Sequence, residues 1–153
     1  MGKVVAICIS EKKGTAKRMI EEVNFIEDFG MEGDAHAGKW HRQISLLALE
    51  KIEDFNEKGG NVDFGDFGEN LVISGIELTN LPIGQRFKIG ETELELTQIG
   101  KQCHTKCEIF YRVGKCIMPT NGVFTKVIKG GKVKVGDECI LIEPDKKVLN
   151  INI

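Results

Sequence analysis

Short apolar segments separated by glycine turns are the feature that most restricts how this chain can fold. Eighteen glycines occur among 153 residues, and segments such as 3–9 and 71–73 are short and rich in β-branched residues. Such segments are typical of strands. Residues 86–89 and 91–99 flank Gly90, which predicts a hairpin. The pattern therefore predicts a mostly-β, barrel-like domain with a few short helices.

One stretch has helical spacing instead. Apolar residues recur at intervals of three from Leu46 to Phe55, as on one face of a helix. This spacing predicts a helix over residues 46–58, with Ser45 as its N-cap and Gly59 at its C-terminal end.

Length and composition limit the classes of protein to consider. A chain of 153 residues with 41% hydrophobic and 29% charged residues is typical of one soluble domain, which we expect to cover residues 1–153. A net charge of -2 favours neither nucleic acid nor a membrane surface as a partner, and no apolar run is long enough to span a membrane. Five cysteines without a signal peptide favour a cytoplasmic protein without a disulfide framework.

A cluster of thiols occupies residues 100–118, which we call the cysteine segment. It contains Cys103, His104, Cys107 and Cys116. Positive charge and a helix N-terminus lower the pKa of a thiol and favour the reactive thiolate. The segment carries four basic residues: Lys101, Lys106, Arg112 and Lys115. Because Cys107 follows Lys106 directly and would lie in the first turn of a short helix over residues 106–112, we expect Cys107 to be the principal reactive or metal-binding thiol, with Cys103 second.

Two other interpretations of the cysteines stay open. Cysteine is often a small buried hydrophobe, and we expect Cys8 and Cys139, which lie in apolar runs, to be core residues. If the clustered cysteines also merely pack, the protein is a non-catalytic interaction module. The second interpretation is a zinc site, for which the candidate ligands are Cys103, His104, Cys107 and Cys116. Adjacent ligands at 103 and 104 are awkward for one tetrahedral ion.

Three polar, glycine-containing blocks follow one another along the chain. The first is GDAHAG at 33–38 with RQISL at 42–46; the second is GENL at 68–71 with GI at 75–76 and LPIG at 81–84; the third is GKQCHTKC at 100–107 with MP at 118–119, GVF at 122–124 and GD at 136–137. In this order they resemble the MOSC domain, the family named for the C-terminal domain of molybdenum cofactor sulfurase.

The resemblance implies a β-rich barrel that binds the molybdenum cofactor (molybdopterin). In the family, one cysteine coordinates molybdenum or is proposed to carry sulfur as a persulfide, and it follows a basic residue with another cysteine upstream. Cys107 after Lys106, with Cys103 upstream, is similar to that pattern, although the spacing is one residue longer than in some members. The implied partners are a cofactor-biosynthesis protein or a molybdoenzyme.

The resemblance does not extend to the larger family members. The sequence shows neither the separate N-terminal barrel of the reductases nor a desulfurase domain, so we expect neither complete enzyme and no pyridoxal phosphate binding.

Cations and amides are the side chains that a phosphorylated pterin needs. An arginine can make paired contacts to a phosphate and a lysine a point-charge contact, while the amide of Asn70 can bond a pterin edge. For Glu69 and Asn70 a role in holding the loop is an equal alternative, and we expect His36 and His41 to be structural or supporting residues. The candidate cofactor-binding residues are Arg42, Glu69, Asn70, Lys101, His104, Lys106 and Arg112.

Overall fold

The fold is a closed β-barrel with an α-helix packed on its outer face, as a computed structural model shows. The structure describes residues 2–12, 17–100, 117 and 121–142. Within these ranges the strands are β1 (Gly2–Ile9), β2 (Arg18–Ile20), β3 (Glu22–Ile26), β4 (Gly30–Met31), β5 (Ile44–Ala48), β6 (Leu71–Ser74), β7 (Arg86–Ile89), β8 (Thr92–Ile99), β9 (Val123–Lys129), β10 (Gly131–Lys134) and β11 (Glu138–Ile142). The helix α1 spans Leu49–Glu57, and a 3₁₀ turn spans Leu78–Asn80. The prediction of a mostly-β barrel is confirmed.

Seven strands close the barrel in the order β11-β7-β8-β9-β5-β6-β1, because β1 also pairs with β11. Where β1 and β11 pair to close the barrel, Gly2 lies opposite Cys139. The other end of β1, from Ile7 to Ile9, pairs with β2. A second, three-stranded sheet has the order β10-β3-β4. Closure removes the open edge that an exposed sheet would otherwise present to other chains.

The barrel interior is filled by alternate residues of the strands. On β5, for example, Ile44, Leu46 and Ala48 belong to the interior cluster, because successive strand residues point to opposite faces. Cys139 lies in the same cluster and Cys8 is equally inaccessible, so the prediction that these two cysteines are core residues is confirmed. Burial raises the pKa of both thiols to about 12, which keeps them protonated.

A second apolar cluster lies on the outer face, beneath α1. Strands β5 and β6 are parallel, so a crossover must join them, and α1 provides it. Residue Ile52 of the helix is buried against this face. The buried members of this outer cluster are Ala6, Cys8, Leu47, Ile52, Val62, Phe67, Val72, Ile117 and Phe124.

The helix lies within the predicted residues 46–58, but it starts later than predicted. It begins at Leu49, Ala48 is the N-cap, and no side chain bonds the cap, so the prediction of Ser45 as N-cap is wrong. Residues 44–48 form a central strand buried on both faces between β6 and β9. An apolar run of that kind fits a strand as well as a helix, and the pairing on both sides decides for the strand.

Candidate functional site

Two loops from the polar blocks meet at the carboxyl end of β1. They are the first glycine-acid loop (residues 33–38) and the second glycine-acid loop (residues 65–70). The backbone N–H of Cys8 donates to the carbonyl oxygen of Asn70 at 2.7 Å. Two residues further on, the N–H of Ser10 donates to Asp34 Oδ1 at 3.2 Å, and the Ser10 carbonyl accepts from Ala35 at 2.8 Å. The end of β1 and the residue that follows it therefore join both loops.

Lys17 forms a second link between the loops. Its backbone N–H donates to the carbonyl oxygen of Gly65 at 2.8 Å, while its Nζ lies 2.7 Å from Asp34 Oδ1 in an ion pair whose side chains are both fully buried. The Nζ also lies 3.1 Å from Ser10 Oγ and 3.1 Å from His36 Nδ1. Gly65 has φ +91°, and a Cβ there would lie 2.1 Å from the Lys17 carbonyl oxygen. This close approach therefore requires glycine.

Opposing effects set the charge state of Asp34. Burial alone would raise the pKa of its carboxyl, but hydrogen bonds from His36 and Lys17, the positive charge of Lys17 and the Ser10 N–H outweigh burial and hold that pKa well below its usual range. Because this pKa is lower in the folded than in the unfolded chain, Asp34 stabilises the fold at neutral pH. That stabilisation is lost as the pH falls below about 4.

Glu69 is fully buried and shapes the second loop from within. Its carboxylate accepts the backbone N–H groups of Gly65 at 2.9 Å and Phe67 at 3.2 Å. Burial raises its pKa to about 7, and the backbone hydrogen bonds only partly offset that rise. In contrast to Asp34, no cation is among the causes of its pKa shift.

Asn70 connects three strands at the point where β6 begins. Its Oδ1 accepts from the Ser45 N–H at 2.9 Å and lies 3.2 Å from Ser45 Oγ, while its Nδ2 donates to the Cys8 carbonyl at 3.2 Å. Asn70 is fully buried, as Glu69 is. Their hydrogen bonds support the loop-holding alternative, and direct contact of either side chain with a cofactor stays a prediction.

Arg42 differs from these two candidates because it is half-buried and its guanidinium is incompletely satisfied. The Cζ atom lies 4.7 Å from the ring centroid of Trp40 and 5.6 Å from that of Phe124. The Trp40 ring is itself fixed, since its Nε1 donates to the His36 carbonyl at 2.7 Å. Within the described ranges, nothing accepts a hydrogen bond from the buried Nε of Arg42. A cation held against aromatic rings with a donor to spare is suited to bind an anion.

The cysteine segment itself falls mostly outside the described residues. The roles predicted for residues in this part stay predictions, as does the alternative zinc site; they concern Lys101, Cys103, His104, Lys106, Cys107, Arg112 and Cys116. The described flanks show where the segment is attached: the Gly100 N–H donates to the Gly122 carbonyl at 2.7 Å. Ile117 is buried in the outer cluster together with Phe67 and Phe124. The segment is thus attached beside the second loop and beside Phe124, one of the two aromatic residues whose rings contact Arg42.

Sequence reasoning missed several residues of this site. Lys17 is preceded by a polar stretch and has the appearance of a surface cation, and no sequence signal marks its burial. Asp34 and Trp40 had signals that could have been used: an acid within a glycine-rich block, and the single tryptophan two residues from a cation.

Among the residues described, no group of three or more His, Cys, Asp and Glu side chains could hold a metal ion, and no helix is long and apolar enough to cross a membrane.

The first prediction concerns the buried ion pair. Asp34→Asn or Lys17→Met should each lower the free energy of unfolding by about 3–5 kcal/mol, because either change leaves a buried charge without its partner. The double variant should lose less than the sum of the two. The exposed pair Lys58–Asp54, with a similar distance of 3.0 Å, is the matched control and should show little coupling. Urea unfolding of both double-mutant cycles measures this; additive losses at Lys17 and Asp34 would contradict the pairing.

The second prediction concerns Glu69, whose pKa rises from 4.5 to about 7. Between these pH values the folded protein binds more protons than the unfolded chain, so stability falls as pH rises. Glu69→Gln removes the titrating group, so wild type should become less stable relative to the variant by up to about 3 kcal/mol across this window. Urea unfolding at several pH values measures the difference. Exposed Glu53→Gln is the control, and a difference for Glu69→Gln that does not change with pH would refute the prediction.

Known protein families and solved structures include some that are similar to this chain. A model of the MOSC domain family matches residues 33–140. The YuaD protein from Bacillus subtilis is similar with a TM-score of 0.75 and 21% identity over 91% of this chain and 94% of that one. YiiM from Geobacillus stearothermophilus has a TM-score of 0.74 and 18% identity over 94% and 76% of the two chains. YiiM from Escherichia coli has a TM-score of 0.65 and 21% identity over 94% and 71%.

These comparisons differ in what they establish. At such identities the solved structures show the fold alone, and no curated protein sequence matches the chain significantly. The family match spans well over half of the chain and includes both glycine-acid loops, Arg42 and the whole cysteine segment. The family is associated with the molybdenum cofactor through the sulfurase that gives it its name. The chain belongs to the MOSC domain family.

Proposed function

We propose that this protein binds the molybdenum cofactor where the two glycine-acid loops and the attachment of the cysteine segment adjoin, and that it handles cofactor sulfur through a reactive cysteine. Cys107 is the principal thiol and the metal ligand, and Cys103 is second. A cofactor-biosynthesis protein or a molybdoenzyme is the expected partner.

The observation that carries the proposal is the buried Nε of Arg42, which has no hydrogen-bond acceptor among the described residues. Its Nε is buried and, as far as the chain is described, donates to nothing, although a buried donor without an acceptor costs about 1–3 kcal/mol. A phosphate oxygen would satisfy it, and arginine is the residue that matches phosphate with paired donors. The rings of Trp40 and Phe124 hold the cation in place and so reduce the entropy lost on binding. The residues present therefore fit the phosphate of the cofactor.

Rigid loops support the same assignment. The ion pair of Lys17 and the hydrogen bonds of Glu69 and Asn70 fix the backbone beside Arg42 and beside the outer cluster that includes Ile117. Functional residues commonly lie on loops that a rigid scaffold positions. Lys101, Lys106, His104 and Arg112 belong to the adjoining segment and are proposed to contribute charge and donors there.

The cofactor and the protein chain supply different chemical groups to the proposed site. When bound, the cofactor supplies a molybdenum centre that accepts soft thiolate ligands. The chain supplies the thiolate of Cys107, which the adjacent Lys106 favours over the thiol, and the phosphate contact of Arg42. The buried thiols Cys8 and Cys139 take no part, because burial raises the pKa of each to about 12.

The third prediction separates the two candidate thiols. Protein purified from a host that makes the cofactor should contain molybdenum and pterin in equal amounts. Cys107→Ser should fold and lose both, because the metal ligand is gone, whereas Cys103→Ser should lose less. Metal analysis and an oxidised-pterin assay on the same sample measure this.

If Cys103→Ser alone loses the cofactor, the assignment moves to Cys103. Zinc at one ion per chain without pterin would favour the zinc site, and normal binding by both variants would refute the thiol mechanism.

The fourth prediction tests the phosphate contact. Arg42→Gln should lower pterin retention about tenfold or more, since hydrogen bonds to charged groups contribute about 1.5–3 kcal/mol. Arg42→Lys should recover only part of it, because a lysine lacks the paired donors. Arg18→Gln, an exposed arginine on β2, is the matched control and should retain pterin normally. Equal retention by Arg42→Gln and wild type would remove Arg42 from the site.

A further inference from the structure

The side chain of Thr97 lies between the two chain segments that form the Arg42 site. Its hydroxyl carries one proton, which it can donate to either of two backbone carbonyl oxygens: that of His41 and, at 3.0 Å, that of Phe124. His41 directly precedes Arg42, and the ring centroid of Phe124 lies 5.6 Å from the Cζ atom of Arg42. One hydroxyl therefore contacts both the backbone that leads into Arg42 and the backbone that carries one of its aromatic partners.

A β-bulge directs Thr97 to this position. The pairing of β8 with β9 shifts register between Leu96 and Gln98, so Thr97 is an extra residue on β8. Successive strand residues normally point to opposite faces, but the side chains of Thr97 and Gln98 both reach His41, since Gln98 Oε1 lies 2.7 Å from His41 Nε2. Bulges that redirect side chains in this way are frequent next to functional sites.

The backbone that leads into Arg42 needs this support because the strand begins after it. Strand β5 starts at Ile44, two residues beyond Arg42. Among the residues that the structure describes, no other hydrogen bond to the backbone of His41 or Arg42 occurs. A side-chain donor can satisfy a backbone carbonyl where no ladder bond is available. Thr97 therefore supplies a contact that the sheet itself does not provide at this point.

The direction of the Arg42 guanidinium depends on both of the segments that Thr97 joins. Its Nε is buried without an acceptor in the described part of the chain, and its Cζ atom lies against the rings of Trp40 and Phe124. Binding groups must be held within about 0.5 Å of their productive geometry. A shift of the His41 backbone relative to that of Phe124 would move the Nε donor away from the position in which it meets an anion.

We propose that Thr97 is a positioning residue of the anion site: its hydroxyl fixes the backbone of His41 relative to that of Phe124 and so holds the Arg42 guanidinium in the direction in which it binds a phosphate. In this role Thr97 acts through His41 and Phe124 and makes no bond to the anion. The inference rests on the proposed function, because it concerns the phosphate contact that is assigned there to Arg42.

The experiment follows the Nε–H group of Arg42 by heteronuclear NMR while cofactor-free protein is titrated with inorganic phosphate at constant ionic strength. Arg42→Gln identifies the resonance. Thr97→Val keeps the shape of the side chain and removes the hydroxyl, whereas Thr97→Ser keeps the hydroxyl. The matched control is Thr92→Val, because Thr92 also lies on β8 and its buried hydroxyl donates to a backbone carbonyl, that of Ile89, at 2.7 Å.

Phosphate should shift the Arg42 Nε–H resonance of wild type, because it accepts from this donor. Thr97→Val should raise the dissociation constant for phosphate about fivefold, as expected for the loss of one hydrogen bond. It should also speed the exchange of the Nε–H proton with solvent in the free protein. Thr97→Ser should retain most of the affinity. Thr92→Val should lower the melting temperature without changing the affinity, and a purely structural role of Thr97 would give the same result in Thr97→Val.

Wild-type affinity for phosphate in Thr97→Val, or an equal loss in Thr92→Val, would overturn the inference and leave the phosphate contact of Arg42 intact. A loss in Thr97→Ser as large as that in Thr97→Val would also overturn it, because the hydroxyl would not then be the responsible group. If Thr97→Val fails to fold, Thr97→Ala decides in its place. No response of the wild-type Arg42 resonance to phosphate would refute the phosphate contact in the proposed function, and with it this role of Thr97.

Discussion

The buried ion pair between Lys17 and Asp34 is the interaction on which the arrangement of the site depends. Two fully buried charges 2.7 Å apart persist only when each is paired and its remaining hydrogen-bonding capacity is used. Both conditions hold, since Ser10 and His36 supply the additional contacts. Because the backbone of Lys17 also pairs with Gly65, a single residue fixes both glycine-acid loops at the end of β1.

The two buried carboxylates of these loops have opposite electrostatic consequences. Asp34 faces a cation and has a lowered pKa, so it stabilises the fold at neutral pH. Glu69 accepts two backbone N–H groups and has its pKa raised by burial, so ionising it at neutral pH costs stability. The first loop is therefore held by charge and the second by hydrogen bonds to a carboxyl that titrates near neutrality.

Local sequence patterns predicted the strands because strand and turn preferences depend mainly on neighbouring residues. The first strand, the Gly90 hairpin and the barrel-like class follow from short β-branched segments and turn residues. The start of α1 does not, because residues 44–48 satisfy helical spacing and become a strand only through pairing with β6 and β9. Ser45 was assigned to a cap for that reason, and it bonds Asn70 instead.

The site was partly predictable for a similar reason. Arg42 was identified as a cation in a polar block, and its rings and buried Nε needed the fold to bring Trp40 and Phe124 around it. Lys17 gave no signal, since its burial arises from contacts distant in sequence. The resemblance to the MOSC family was visible because it lies in the loops, where the chemistry of a family is concentrated.

The central claim is that one cofactor site adjoins the two glycine-acid loops, Arg42 and the cysteine segment. Hydrogen–deuterium exchange of cofactor-free and cofactor-loaded protein tests it most directly, because amides that contact or are ordered by a ligand exchange more slowly. We predict protection of peptides covering residues 33–42, 65–70 and 100–118, with no change in the three-stranded sheet of β3, β4 and β10. Protection confined to that sheet, or unchanged exchange in the cysteine segment of loaded protein, would contradict the account.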